Sequence, residues 1–175
     1  VGAKVPGEAA CWEQTVRSGR MVLLALNSGI GFANRICHEI NRMIRTDGSP
    51  FNFTLTPCTE TTFANGERKV VIEESVRGKD VFIIQLMDDP HSESTVNDNL
   101  MSLACAGQAA YYSDAARITA VIPQFPYSRQ DKKKGREPIT AKIVGMLLES
   151  TRFNKVITLD IHSEAIEGFF NRTQM

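Results

Sequence analysis

Apolar and polar positions along the chain fall into short runs of two kinds. Met21 to Leu26 is continuously apolar and short enough for a strand buried on both faces. Asn27-Ser28-Gly29 then supplies a turn and a helix-capping region. Ala33, Ile36, Ile40, Met43 and Ile44 recur at helical spacing, and Asp47-Gly48-Ser49-Pro50 ends that helix. Phe53, Leu55 and Pro57 predict a second strand. Val70 to Ile72 and Val81 to Leu86 predict two more, separated by the turn Arg77-Gly78-Lys79-Asp80. After the loop Asp88-Asp89-Pro90-His91-Ser92, the stripe Val96, Leu100, Leu103 and Ala106 predicts a second helix. Ile118 to Ile122 is the next strand. Ile139, Ile143, Met146 and Leu147 mark a third helix, opened by Pro138 in its first turn. Val156 to Leu159 is the last strand, and a short helix follows Ser163.

Strands alternate with helices, and several strands are apolar throughout. The expected fold is α/β, a mainly parallel sheet flanked by helices on both faces. Such sheets take ligands beyond the carboxyl ends of their strands. Residues 21–175 read as one domain and 1–20 as an N-terminal extension with no assigned function, with Trp12 as its one anchor.

Composition narrows the class. The chain has 175 residues, 42% hydrophobic and 23% charged, with zero formal net charge. No global field draws it to nucleic acid or to a membrane surface. No run approaches the roughly 20 apolar residues of a membrane span, and the start has no apolar signal region. Cys11, Cys37, Cys58 and Cys105 form no CxxC pair and no zinc spacing with His38, His91 or His162. Free thiols in a reducing, cytoplasmic setting are favoured over two disulfides.

Against that neutral background one stretch stands out. The strand ending at Pro123 runs into Phe125-Pro126-Tyr127-Ser128 and then into Arg129, Lys132, Lys133, Lys134 and Arg136, with Gln130, Asp131 and Gly135 among them. Five cations on one short loop repel one another unless a polyanion arrives, and a triphosphate suits that arrangement. The plain alternative is a solvated basic loop, but its place at a strand's carboxyl end favours phosphate. Asp160 and His162, two residues apart at the next strand end, can face one side and serve a divalent metal or a phosphate. They also fit a capping Asp and a hydrogen-bonded His. Phe63-Ala64-Asn65-Gly66-Glu67 is a tight turn whose Phe and Glu can clamp a flat ring, or simply a hairpin. Ser75 and Arg77 sit at a turn mouth that can bind an anion.

Taken together these segments resemble ribose-phosphate pyrophosphokinase. They are Phe63 to Glu67, Val71 to Val81, Asn97 to Met101, Val121 to Lys133, Pro138 to Lys142 and Ile157 to Phe170, in the family's order. The resemblance implies a phosphoribosyltransferase-like domain. It implies transfer of ATP's pyrophosphoryl group to the C1 hydroxyl of ribose 5-phosphate, with Mg2+, giving phosphoribosyl pyrophosphate and AMP. By the same resemblance Phe63, Asn65 and Glu67 grip adenine in a neighbouring subunit's site. Arg129, Gln130 and Asp131 contact the nucleotide, with Lys132 and Lys133 continuing the catalytic loop, and Asp160 and His162 sit at the metal–triphosphate site. Ser75, Arg77 and Arg136 match a regulatory phosphate site. A homo-oligomer, in the family a hexamer, is the expected partner arrangement, with ATP and ribose 5-phosphate as substrates and no nucleic acid or membrane.

The chain also departs from the family pattern. Asn171 and Met175 stand where the family has Asp, and Glu164 stands where it often has a phosphate-binding Ser. Nothing after His162 resembles the second domain that carries ribose 5-phosphate. The expectation is therefore a nucleotide-binding half. The competing expectation, a non-catalytic regulatory relative that assembles with true synthetases, tends to lack the Arg129-Gln130-Asp131-Lys132-Lys133 signature. A nucleic-acid-binding domain built on the basic loop would interleave aromatics with the cations, and this loop does not.

Overall fold

The fold is that of a computed structural model, which describes residues 20–46, 48 and 51–175. Its centre is a parallel sheet of β1 (Met21–Ala25), β4 (Asp80–Ile84), β5 (Arg117–Val121) and β6 (Lys155–Ile157), in the spatial order β1-β4-β5-β6. Between β1 and β4 the chain forms α1 (Ile30–Thr46) and an antiparallel hairpin of β2 (Cys58–Thr62) and β3 (Arg68–Ile72). The helices α2 (Val96–Tyr112) and α3 (Thr140–Ser150) connect β4 to β5 and β5 to β6.

The apolar strand runs are explained by a sheet covered on both sides. On β1, Leu23 and Ala25 face α1 and pack with Ala33, Cys37 and Ile44. Val22 and Leu24 face the opposite core, where α2 and α3 contribute Leu103, Ala106, Val144 and Leu148. With no solvent face, hydrophobic alternation has nothing to report. The hairpin packs its stem residues Cys58, Val70 and Ile72 on the α2 side. Gln174 adds a parallel bridge to Lys155 on the far edge of β6.

Several expectations are corrected. Phe53, Leu55 and Pro57 do not form a strand. Phe53 is buried under α1, and the Asn41 side chain satisfies its backbone: Phe53 N–H donates to Asn41 Oδ1 at 2.6 Å and Asn41 Nδ2 donates to Phe53 O at 2.8 Å. With those groups bonded to a side chain, no strand partner is needed. The strand is instead β2, whose sequence Cys-Thr-Glu-Thr-Thr carries little apolar signal.

The core face of α3 is also displaced. Ala141, Val144, Gly145 and Leu148 are buried, while Ile143 and Met146 are exposed. Small residues let the helix approach closely; a Cβ on Gly145 would lie 3.5 Å from Phe169 O. Pro138 precedes the helix and does not open its first turn. Met43 of α1 is likewise exposed. Trp12 and the 1–20 extension, apart from Arg20, lie outside the described residues, as do Asp47, Ser49 and Pro50.

Candidate nucleotide site

The carboxyl ends of β5 and β6 are laced together. Thr158 donates its hydroxyl to Pro123 O at 3.2 Å, and the amides of Leu159 and Asp160 both reach Pro123 O at 3.0 Å. Gln124 and Asp160 form a parallel bridge. The start of the basic loop therefore carries Asp160 alongside it.

The loop has an apolar foot and a charged tip. Phe125 and Pro126 are buried, and Phe125 meets the Phe170 ring edge-on at 6.2 Å between centroids. Tyr127 has a φ of 58°, in the left-handed region that non-glycine residues rarely occupy. It is held there by its hydroxyl, which donates to Asn97 Oδ1 on α2, and by its carbonyl, which accepts from Gln130 N–H at 2.9 Å. The far side is tied to α3: Gln130 O accepts from Ala141 N–H at 3.2 Å, and Gln130 Oε1 accepts from the Thr140 hydroxyl at 2.5 Å. Glu137 folds back to accept the Lys134 amide at 2.7 Å. These bonds tie both ends of the loop to the domain.

Arg129, Lys132, Lys133, Lys134 and Arg136 are all exposed. Among the described residues none of the five forms an ion pair; the ion pairs present involve Arg42, Arg68 and Arg77. Asp131 is nine-tenths buried, and its Oδ1 has no hydrogen-bond partner among the described residues.

Two adjoining cavities share Arg129 and His162. One, of about 320 Å³, is lined by Asp88, Gln124, Phe125, Ser128 and Asp160 besides those two. The other, of about 310 Å³, adds Gln130, Asp131, Lys132, Lys134, Glu137 and Pro138. The structure therefore brings together Arg129, Asp160 and His162 in one cavity, and Arg129, Gln130, Asp131, Lys132 and His162 in the other. Lys133 and Arg136 lie on the same exposed loop outside both linings. Gln130 turns its amide oxygen toward Thr140, so it also serves as a brace for α3.

The turn residues lie elsewhere. Phe63, Asn65 and Glu67 form the exposed tip of the β2–β3 hairpin, closed by Phe63 N–H to Glu67 O at 2.9 Å and Glu67 N–H to Asn65 Oδ1 at 3.2 Å. Gly66 takes a φ of 88° there, which a β-carbon would strain. None of the three lines either cavity. Ser75 and Arg77 precede β4 at the amino end of the sheet, and Arg77 pairs with Asp114 at 2.8 Å on the surface. Arg136 follows β5 at the carboxyl end, so one chain does not unite these three.

Sequence reasoning missed Asp88, which read only as part of a loop. Its signal was positional: it follows β4 on the same carboxyl rim as the other two strand ends. Asn171, by contrast, has a structural partner. Its N–H donates to Glu149 Oε1 at 2.6 Å, joined by the amides of Arg172 at 2.6 Å and Thr173 at 3.1 Å.

A parallel sheet covered on both faces, with an anchored cationic loop and an Asp/His pair at its carboxyl rim, defines an α/β domain whose candidate ligand site lies at the strand ends. The comparisons narrow this. The N-terminal domain of ribose phosphate pyrophosphokinase matches residues 21–151. Ribose-phosphate pyrophosphokinase 2 of Saccharomyces cerevisiae is 48% identical over 150 residues, covering 85% of this chain and 43% of the relative. Ribose-phosphate pyrophosphokinase A of Dictyostelium discoideum is 52% identical over 110 residues, covering 62% of this chain and 33% of the relative. Phosphoribosylpyrophosphate synthetase from Mycobacterium smegmatis superposes with a TM-score of 0.76 at 34% identity, over 88% of this chain and 47% of that one. The chain belongs to the ribose-phosphate pyrophosphokinase family and corresponds to its N-terminal domain. It spans less than half the length of these relatives.

Proposed function

We propose that this chain supplies the ATP-binding half of an enzyme that moves the pyrophosphoryl group of ATP onto the C1 hydroxyl of ribose 5-phosphate. The observation that carries the reading is the anchored loop of five exposed cations, none in an ion pair among the described residues, next to Asp160 and His162. Loss of positive charge there would leave the triphosphate unneutralised. In the transfer, the C1 oxygen forms a bond to the β-phosphorus and the bond from that phosphorus to the α,β-bridging oxygen breaks. AMP leaves with that oxygen, and the hydroxyl proton is released. Such reactions are accelerated chiefly by positioning and by neutralising charge on the phosphoryl oxygens.

Arg129 offers a planar fork to two phosphate oxygens, and Lys132 and Lys133 add mobile point charges. His162 stands where the two cavities meet and can donate to a phosphate oxygen from its ring. The donor set fits Mg2+: Asp160 and Asp88 present hard oxygens. Among the described residues no group of three or more His, Cys, Asp and Glu could cage a metal alone. That suits a cation completed by phosphate and water oxygens. When bound, it would supply further neutralisation of the triphosphate.

Phe63, Asn65 and Glu67, too remote to line their own chain's cavities, are assigned to the adenine of a neighbouring subunit in a homo-oligomer. The same reasoning assigns Ser75 and Arg77 of one subunit, with Arg136 of another, to a regulatory anion site. Glu164 is exposed on the turn after His162 and would repel phosphate there. Residues 21–175 form the nucleotide-binding domain in this reading. A cytoplasmic place of action is part of this proposal, in keeping with the thiols of Cys37, Cys58 and Cys105. No described helix is long and apolar enough to cross a membrane.

The test is AMP formation by the full-length protein from ATP plus ribose 5-phosphate. Mg2+-dependent AMP release that needs both substrates, and that falls at least about a hundredfold in Arg129→Ala, is expected. No AMP release from the full-length protein contradicts the proposal. If the same protein then stimulated a second synthetase, the regulatory role would replace it.

A further inference from the structure

The hairpin β2–β3 packs its apolar stem residues on the α2 side, and one charged side chain, Arg68, ties the stem to the rim as well. Arg68 immediately follows Glu67 and stands opposite Thr62 in register, so the pair closes the stem just below the turn. Its guanidinium is almost wholly buried, with 7% of the side chain exposed. It donates to the Thr62 hydroxyl at 2.6 Å and to the Ser94 hydroxyl at 3.1 Å. It also faces two carboxylates, Glu60 at 3.6 Å and Asp98 at 3.4 Å.

Two of those partners, Thr62 and Glu60, lie on β2 itself, and the other two, Ser94 and Asp98, lie on the carboxyl rim. Asp98 closes the capping box of α2 with Thr95. Ser94 belongs to the loop that begins with Asp88 at the cavity. The Glu60 side chain is 2% exposed and accepts the Asn27 amide of the turn after β1 at 2.8 Å and the Ser102 hydroxyl of α2 at 2.5 Å. The guanidinium therefore joins the hairpin stem to α2, to the Asp88 loop and, through Glu60, to the end of β1.

A two-stranded hairpin is marginal by itself, so the direction of its tip is set by what grips its stem. Buried ion pairs contribute little net stability against apolar replacements, and their better-attested use is to fix one geometry. Here the cost is visible, because Arg68 Nε is buried without a hydrogen-bond partner among the described residues. We propose that Arg68 is a positioning residue for nucleotide selection: through this buried network it fixes where Phe63, Asn65 and Glu67 point, and so how well the adenine end of ATP is held. The inference rests on the adenine role proposed above. Lysine cannot replace it, since an ammonium is a point charge and cannot span four acceptors in the plane of a fork.

The test uses initial rates of the full-length protein against each substrate. The variants are Arg68→Lys, Arg68→Met and the pair Glu60→Gln/Arg68→Met, which leaves no lone buried charge. A small misplacement of a positioning group costs one to two orders of magnitude, so KM for ATP should rise about tenfold or more in all three. Neither kcat nor KM for ribose 5-phosphate should move beyond about twofold, as expected when binding remote from the reacting atoms is lost. Equal rises in both KM values, a fall in kcat with KM for ATP unchanged, or a wild-type KM for ATP in the pair variant would each overturn the proposal. Phe63→Ala separates it from its premise. If Phe63→Ala raises KM for ATP and the Arg68 variants do not, the positioning role alone fails. If Phe63→Ala leaves KM for ATP unchanged, the adenine role fails and this inference with it.

Discussion

Replacing Glu149 offers a quantitative check on how the rim is held. Its carboxylate sits in the last turn of α3, where the helix dipole disfavours a negative charge by about 0.3–1 kcal/mol. Three consecutive amides, from Asn171, Arg172 and Thr173, nonetheless converge on its Oε1 at 2.6, 2.6 and 3.1 Å. Burial pushes the Glu149 carboxyl up, but the Arg172, Thr173 and Asn171 amides and the Asn171 side chain outweigh it and hold the group below its usual range. A hydrogen bond to a charged group is worth about 1.5–3 kcal/mol net when sheltered, and partial exposure here lets water replace much of that. Glu149→Gln keeps an acceptor, loses the charge and relieves the dipole penalty. A net loss of about 1–2 kcal/mol at pH 7 is expected, or roughly 2–8 °C in Tm for a domain of this size.

The sign of the pH dependence follows from the lowered value. A carboxyl more acidic folded than unfolded contributes stability above its unfolded pKa of about 4.3, and that contribution drains away as pH falls through the folded value. Urea unfolding of wild type and Glu149→Gln at pH 7 and pH 3 measures this. The difference should be full at pH 7 and should shrink at pH 3. An equal difference at both pH values, or less than about 0.3 kcal/mol at pH 7, would refute the assignment of charge to this latch. The latch matters for the site because it follows Phe170, whose ring packs on Phe125 at the cavity wall.

Further outcomes can be measured alongside. Gly29→Ala would place a Cβ 2.5 Å from Ile84 O, a backbone atom that cannot turn aside, and should cost about 2–4 kcal/mol in denaturant unfolding. Gly107→Ala would meet the Phe153 ring at 2.7 Å and Thr151 O at 2.9 Å; a loss of about 1–3 kcal/mol is expected despite the better helix propensity of alanine. Asp160→Asn keeps size and removes charge, so the Mg2+ concentration for half-maximal activity of the full-length protein should rise at least about tenfold; an unchanged requirement would remove Asp160 from the metal site.

Much of the architecture was readable because buried parallel strands advertise themselves. Met21 to Leu26 and Ile118 to Ile122 are apolar whichever face one counts, so β1 and β5 needed no alternation to be found. The β2 strand was unreadable for the opposite reason. Its Glu60 is buried in a polar network, so its burial appears in the sequence as charge. The face of α3 was misjudged because hydrophobic size points to Ile143 and Met146. Close packing against Phe169 and Phe170 instead selects Gly145, and the buried face also takes the small Ala141.

The segments that line the candidate site were legible where they were contiguous, from Phe125 to Arg136 and from Asp160 to His162. Asp88 was not, since its role depends on β4 lying beside β5. Nor could the chain alone place Phe63, Asn65 and Glu67, whose hairpin tip stands apart from both cavities. That separation is what makes their proposed role depend on a second subunit.

Calorimetric titration of the full-length protein with a non-hydrolysable Mg-ATP analogue, in wild type and Arg129→Ala, probes the cationic rim most directly. Saturable binding in wild type, weakened at least about tenfold by Arg129→Ala and reduced by added salt, is the expected result. Absence of binding heat in wild type across temperatures, or identical affinity in Arg129→Ala, would contradict a triphosphate site on this loop.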